Sequence, residues 1–253
     1  MDEDTGRRVL VTGAASGLGA ALVSAFEQRG DRVLACDIRG NLHRLDVTSD
    51  EDWRRTAEWV AEHWGGLDVL VNNAGIATGG RIDVADLTEW QRAIDVNLLG
   101  AVRGCREFVP MFKAQNAGTI VNVASLAGLV HPPAMSSYTA TKAGVVALSE
   151  TLRHELHPWG IEVFVVCPGF FRTNLAASVS SADPLTTSLT QSLIGRSTLA
   201  ADDIAAEVLR GMAEGEHVIL TDPEGRTAVA AKTHARDEYD QQQFAFGERL
   251  RDA

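Results

Sequence analysis

Cysteine, tyrosine and positive charge are all scarce in this chain, and each scarcity excludes something. The three cysteines, Cys36, Cys105 and Cys167, lie far apart among apolar neighbours. They form no C-x-x-C pair, and an odd count gives no disulfide framework, so buried reduced thiols and a cytoplasmic setting are expected. The formal charge of −11 at pH 7 has the wrong sign for a nucleic-acid or anionic-membrane surface. It leaves room for one phosphorylated small ligand held by backbone N–H groups. No apolar run approaches the ~20 residues of a membrane span, and the acidic start M-D-E-D-T-G-R-R lacks the apolar centre of a secretion signal. The histidines show no ligand spacing and no H-E-x-x-H, so no metal is expected.

What is present is an ordinary globular composition, 45% hydrophobic and 23% charged over 253 residues, with no repeat, low-complexity tract or linker to divide it. Short β-branched runs at 8–13, 32–37, 68–74, 118–125, 161–168 and 217–220 are almost wholly apolar. That pattern predicts strands covered on both faces. Between them, residues 17–29, 50–64, 88–115, 137–157 and 201–214 read as helices. In the second of these, Trp53, Ala57, Val60, Ala61 and Trp64 recur on one face. Strand–helix alternation predicts βαβ units and an α/β fold with a parallel sheet. The stretch 170–200 has the length of a substrate loop or lid, and 232–253 reads as a polar tail or frayed terminal helix.

The first strand runs into T-G-A-A-S-G-L-G, Thr12 to Gly19. Gly13, Gly17 and Gly19 fall as G-x-x-x-G-x-G, which allows a tight strand-to-helix turn with bare backbone beside a pyrophosphate. The second strand ends at Asp37, placed to accept hydrogen bonds from an adenosine ribose and to repel a 2′-phosphate. Arg39 close by could instead accommodate that phosphate. One of the two tyrosines, Tyr138, precedes Lys142 by four residues in S-S-Y-T-A-T-K, a spacing that puts both on one helix face. By itself the spacing fits a catalytic pair or two neighbouring helix residues.

These motifs together resemble the short-chain dehydrogenase/reductase family in its compact form. T-G-A-A-S-G-L-G, N-N-A-G at 72–75, Asn97 in D-V-N-L, Ser125, Y-x-x-x-K at 138–142 and P-G at 168–169 occur in the family's order. The resemblance spans residues 8 to about 175 and implies a single Rossmann-type doubly wound domain that binds NAD. It makes Tyr138 the general acid/base, Ser125 the group that orients the substrate oxygen, and Lys142 a partner of both Tyr138 and the nicotinamide ribose. Asn97 would hold a water in the proton relay. In the glycine loop Ser16 and Leu18 would join the three glycines around the cofactor. Asp46, with Val47 beside it, would meet the adenine, and Asn73, Ala74 and Gly75 would line the adenosine ribose and help to stabilise the central sheet. Pro168, Gly169, Phe171 and Thr173 resemble the stretch that grips the carboxamide. Phe171 stands where a smaller aliphatic residue is common; a backbone contact would survive, while its ring narrows the pocket.

An ammonium ~5 Å from the phenol, at an effective dielectric of ~20, is worth roughly 3 kcal/mol, or about 2 pKa units from a tyrosine's value of about 10, and the positive nicotinamide of NAD would push the same way, toward pH 7–8. The implied reaction is hydride transfer between NAD and a secondary alcohol or ketone. The loop 126–135 should wall the pocket, with Leu126, His131, Met135, Phe170 and Leu175 as its lining, which leans toward a hydrophobic substrate. The rival within the enzymes is an NADP-dependent carbonyl reductase. The rival of another class is a cofactor-binding sensor or assembly subunit without turnover, against which the intact Asn97, Ser125, Tyr138 and Lys142 speak. Sugar-nucleotide epimerases share the loop and the pair but need a longer C-terminal domain. The family pairs through helices such as 88–115 and 137–157. H-V-I-L-T-D-P-E-G-R stands where a D-G-G type ending is familiar, which leaves a homodimer or a homotetramer open.

Overall fold

The computed structural model describes residues 6–172, 183, 184, 187, 188, 192, 195 and 197–251. Seven strands form one sheet among them: β1 (Arg8–Thr12), β2 (Arg32–Asp37), β3 (His43–Arg44), β4 (Val69–Asn72), β5 (Gly118–Val123), β6 (Ile161–Val166) and β7 (Val218–Ile219). All pair in parallel, in the order β3-β2-β1-β4-β5-β6-β7. The strand order reverses between β1 and β4, as in a doubly wound Rossmann-type domain, and the crevice at that point is where such sheets bind ligands.

The helices are α1 (Gly17–Gln28), α2 (Asp50–Trp64), α3 (Leu87–Ala93), α4 (Gly100–Gln115), α5 (Ala127–Val130), α6 (Ser136–Leu156), α7 (Ala201–Glu214), α8 (Pro223–His234) and α9 (Arg236–Arg251). None is long and apolar enough to cross a membrane. Strand side chains alternate between two cores. On one face Val9, Val11, Val71 and Val121 pack with Leu22 and Phe26 of α1 and Val208 of α7. On the other, Leu10, Leu70 and Ile120 pack with Trp53 and Val60 of α2 and Phe108 and Phe112 of α4. Because both faces are covered, the strands carry no polar alternation.

Helix α2 shows how local signals set an element. The Ser49 side chain accepts from Asp52 N at 3.1 Å, capping the helix start. Gly65 at φ 69° ends it, a left-handed position that suits glycine. Trp53, Ala57 and Val60 are buried as their spacing predicts, Trp64 is half-buried, but Ala61 is exposed. The helix predicted over 88–115 is divided: α3 and α4 flank a π-helical segment, Ile94–Leu99, which contains Asn97. Of the two readings of 232–253, a polar tail or a terminal helix, residues 236–251 take the helical one and form α9. Tyr239 and Leu250 are buried there, two apolar anchors spaced too widely to show as an amphipathic stripe.

Candidate active site

The β1–α1 turn is built by close backbone contacts. Gly13 has φ 68°, and a Cβ there would lie 2.8 Å from Ala74 Cα. A Cβ on Gly19 would lie 2.2 Å from Gly13 O, so only hydrogen lets α1 start so close to the strand. Gly17 opens the helix at φ 57°, Leu18 is buried in the core, and Ser16 occupies the cap position without a side-chain cap bond. The first turn of α1 has no acidic residue, which leaves its N–H groups to an anion. Thr12 ties this turn to the next strand: its Oγ accepts from Asn73 N and Ala74 N, each at 3.0 Å. Asn73 Nδ2 returns a bond to Thr12 O at 2.8 Å. These bonds are the sheet-stabilising role expected of Asn73 and Ala74.

Asp37 ends β2 and is buried. Its Oδ2 accepts from Ala15 N at 3.0 Å, which fixes the carboxylate against the glycine turn, and its Oδ1 accepts from Arg39 N at 2.9 Å. The Arg39 guanidinium stands 3.7 Å from Oδ1 with 69% of its side chain exposed. Asp46 folds its Oδ1 back onto Thr48 N and Oγ, beside the buried Val47. A helix start free of acid, turns that admit no Cβ and an acidic residue at the end of β2 together fit a dinucleotide. Gly13, Gly17, Gly19 and Asp37 would hold it.

At that edge the remaining side chains converge. Ser125 follows β5, near enough to Tyr138 to act on its phenol, and its hydroxyl lies 3.5 Å from Pro168 O. Tyr138 and Lys142 lie in the first turns of α6, both buried. The Lys142 ammonium donates to Val123 O at 2.8 Å and stands 5.8 Å from the Tyr138 ring centre. Gly75 packs against Asn97 and Lys142, with a Cβ position 3.2 Å from Asn97 Oδ1 and 3.5 Å from Lys142 Nζ.

One expectation is corrected here. Burial raises the Tyr138 phenol above its ordinary value, and the neighbouring Ser125 opposes this only in part. Burial also pushes the Lys142 ammonium down to about 8. The lysine therefore does not by itself bring the tyrosine toward neutrality. The Asn97 side chain clasps Ile76: Oδ1 accepts from Ile76 N at 2.8 Å and Nδ2 donates to Ile76 O at 3.0 Å.

Of the expected pocket lining, Leu126 and Met135 are half-buried and Phe170 is 43% exposed. His131 is exposed and turned away toward α8, where Lys232 Nζ lies 2.7 Å from its Nδ1. Phe171 lies in the core with α1 and α7, so its ring packs inward instead of narrowing the pocket. Thr173 and Leu175 lie outside the described residues. Within the stretch 170–200, Asp183 is fully buried and accepts from Arg81 N at 3.1 Å and Arg81 Nε at 2.9 Å.

Asp222 is a site residue that the motifs miss. Its Oδ2 accepts from Gly169 N at 3.2 Å and its Oδ1 from Gly225 N at 2.6 Å, so one carboxylate caps α8 and fixes the P-G turn. The T-D-P-E-G string carried the signal, since an aspartate followed by proline marks a helix start.

The chain belongs to the short-chain dehydrogenase family, whose model matches residues 7–184. It is thereby a nicotinamide-dependent oxidoreductase. The 3-alpha-(or 20-beta)-hydroxysteroid dehydrogenase of Mycobacterium tuberculosis is 38% identical over 182 residues, 66% of this chain and 70% of that protein. A short-chain dehydrogenase/reductase from Burkholderia phymatum, solved with NAD, superposes with a TM-score of 0.86 at 28% identity, covering 96% of this chain and 97% of its own. A short-chain dehydrogenase from Burkholderia cenocepacia, solved with NADP, gives 0.81 at 26% identity, covering 94% and 97%.

Proposed function

We propose that this protein interconverts a hydrophobic secondary alcohol and its ketone with NAD, using Tyr138 as the general acid/base. The observation that carries the reading is the meeting of Ser125, Tyr138 and Lys142 at the carboxyl edge of β5, beside a turn shaped for a dinucleotide. NAD supplies the hydride chemistry; the chain supplies orientation and the proton. Ser125 holds the substrate oxygen against the Tyr138 hydroxyl. In reduction Tyr138 gives its proton to the nascent alkoxide, the direction favoured by a phenol that burial keeps protonated. In oxidation the same oxygen takes the hydroxyl proton, helped by the Lys142 ammonium. With its side chain held by Ile76, Asn97 serves the relay through its backbone in the π-helical turn, where Gly100 N bonds to Asp95 O out of the α register. The half-buried Leu126 and Met135 and the similarity to a hydroxysteroid dehydrogenase support an apolar substrate frame.

A second reading, NADP as cofactor, is favoured by the exposed Arg39 guanidinium beside Asp37. One experiment addresses both. Wild type and Tyr138→Phe are titrated with NADH and NADPH by fluorescence, then assayed with bulky secondary alcohols such as hydroxysteroids. We expect tighter NADH binding, equal in the two proteins, and a loss of roughly 10²-fold or more in turnover for Tyr138→Phe, as for removal of a general acid/base. Turnover by Tyr138→Phe within a few-fold of wild type would end the assignment. Tighter NADPH binding would transfer ribose selection from Asp37 to Arg39.

A further inference from the structure

Between Ser125 and Tyr138 the chain makes a single helical turn, α5, whose last carbonyls have no helical partner of their own. Side chains occupy three of them in succession. Gly128 O lies 3.2 Å from the His131 ring nitrogen Nε2, Leu129 O accepts from the Lys232 ammonium of α8, and Val130 O accepts from the Tyr239 hydroxyl of α9. The other end of the turn is held by the site itself: Ala127 N donates to Ser125 Oγ at 3.2 Å and Leu126 N to Pro168 O at 2.8 Å. On its inner side α5 lies directly on α6, since a Cβ at Gly128 would come 2.7 Å from the Lys142 carbonyl carbon. The turn also contains strain. His131 and Ala134 have φ of 55° and 58°, a left-handed backbone that residues with a Cβ rarely adopt.

We propose that α8 and α9 belong to the catalytic apparatus as a brace, with Lys232 and Tyr239 as positioning residues that set Ser125, and through Gly128 the start of α6, at their working distance. The inference rests on the catalytic reading above. The brace acts at one remove, since neither side chain touches the site. Burial and the Lys232 ammonium hold His131 below the ordinary histidine range; its protonation would set a second cation beside Lys232, with Arg236 near both and Asp240 near Lys232, so the brace loosens only as pH falls below that range.

The test compares Tyr239→Phe and Lys232→Met with wild type. Each keeps the apolar body of its side chain and removes only the polar group aimed at α5. Two readouts are taken: amide hydrogen exchange over 126–131, and kcat and KM for alcohol and for NAD. We expect faster exchange there and a roughly 10-fold fall in kcat, a size within reach of a misplacement remote from the chemistry, with KM for NAD and the melting transition nearly unchanged. Unchanged exchange, or kcat within about twofold of wild type in both variants, would overturn the proposal. Tyr138→Phe separates the two ideas. If that variant keeps turnover the catalytic reading falls, and the exchange comparison still decides whether α8 and α9 hold the turn.

Discussion

At the scale of single residues, Tyr138 shows that a motif and its electrostatics are different kinds of information. The spacing of Tyr138 and Lys142 is legible because a helix places i and i+4 side by side whatever surrounds them. What burial does to the two groups is not legible, because it depends on Cys167, Val123, Ser125 and the packing of the whole sheet edge. The pull expected from a nearby ammonium is outweighed by desolvation, which raises the phenol and lowers the ammonium. The chain has only two tyrosines, and burial raises both Tyr138 and Tyr239. An ultraviolet titration of the free protein should therefore show no tyrosinate step below about pH 10, the value of an ordinary tyrosine. A step between about pH 7 and 9 that disappears in Tyr138→Phe would show that the lysine wins after all.

Among the elements, those set by chain-local signals follow their sequence limits and those set by tertiary contact do not. Helix α2 runs over the residues read for it because Ser49 and Gly65 mark its two ends. The break between α3 and α4 has no such mark: periodicity runs straight through 88–115, and the π-helical turn coincides with the reach of Asn97 across to Ile76. Similarly, α5 is too short to show a period, and α9 is polar enough to pass for a tail. Asn97→Ala would leave the Ile76 N–H and C=O unpaired in a half-buried place, at a cost of roughly 1–3 kcal/mol. In a chain of this size that lowers the melting temperature by about 2–4 °C per kcal/mol. Asn97→Asp, which keeps the acceptor for Ile76 N but loses the donor, should fall between. Equal melting temperatures for all three proteins would mean that the π-helical turn does not depend on this clasp.

For the molecule as a whole, the two edges of the sheet are held by different means. The carboxyl edge carries Ser125, Asp37 and the glycine turn. The amino edge is closed by charge: Arg7 N donates to Asp31 at 3.1 Å, and Arg8 N and Nε donate to Asp68 at 2.7 and 2.9 Å. The hydrogen-bonded Arg8 guanidinium holds the Asp68 carboxyl below the usual carboxylate range. A depressed folded-state pKa adds stability that is complete above the unfolded value of about 4 and is lost as pH falls through the folded one. Since about a third of the Asp68 side chain is exposed, solvent screening limits that contribution to roughly 0.5–1 kcal/mol. Asp68→Asn should be less stable by about that amount in urea at neutral pH, with the gap closing toward pH 3, below the unfolded carboxylate value of about 4. A gap that stayed constant with pH would assign the effect to packing.

The three cysteines, all buried and unpaired with one another, have a consequence for a protein that handles electrons. Burial raises each thiol, Cys105 and Cys167 to about 12, so at neutral pH almost none exists as the thiolate that attacks disulfides and peroxides. The sulfur of this oxidoreductase is insulated from the traffic at its sheet edge: the cofactor alternates between two oxidation states while the polypeptide keeps to one.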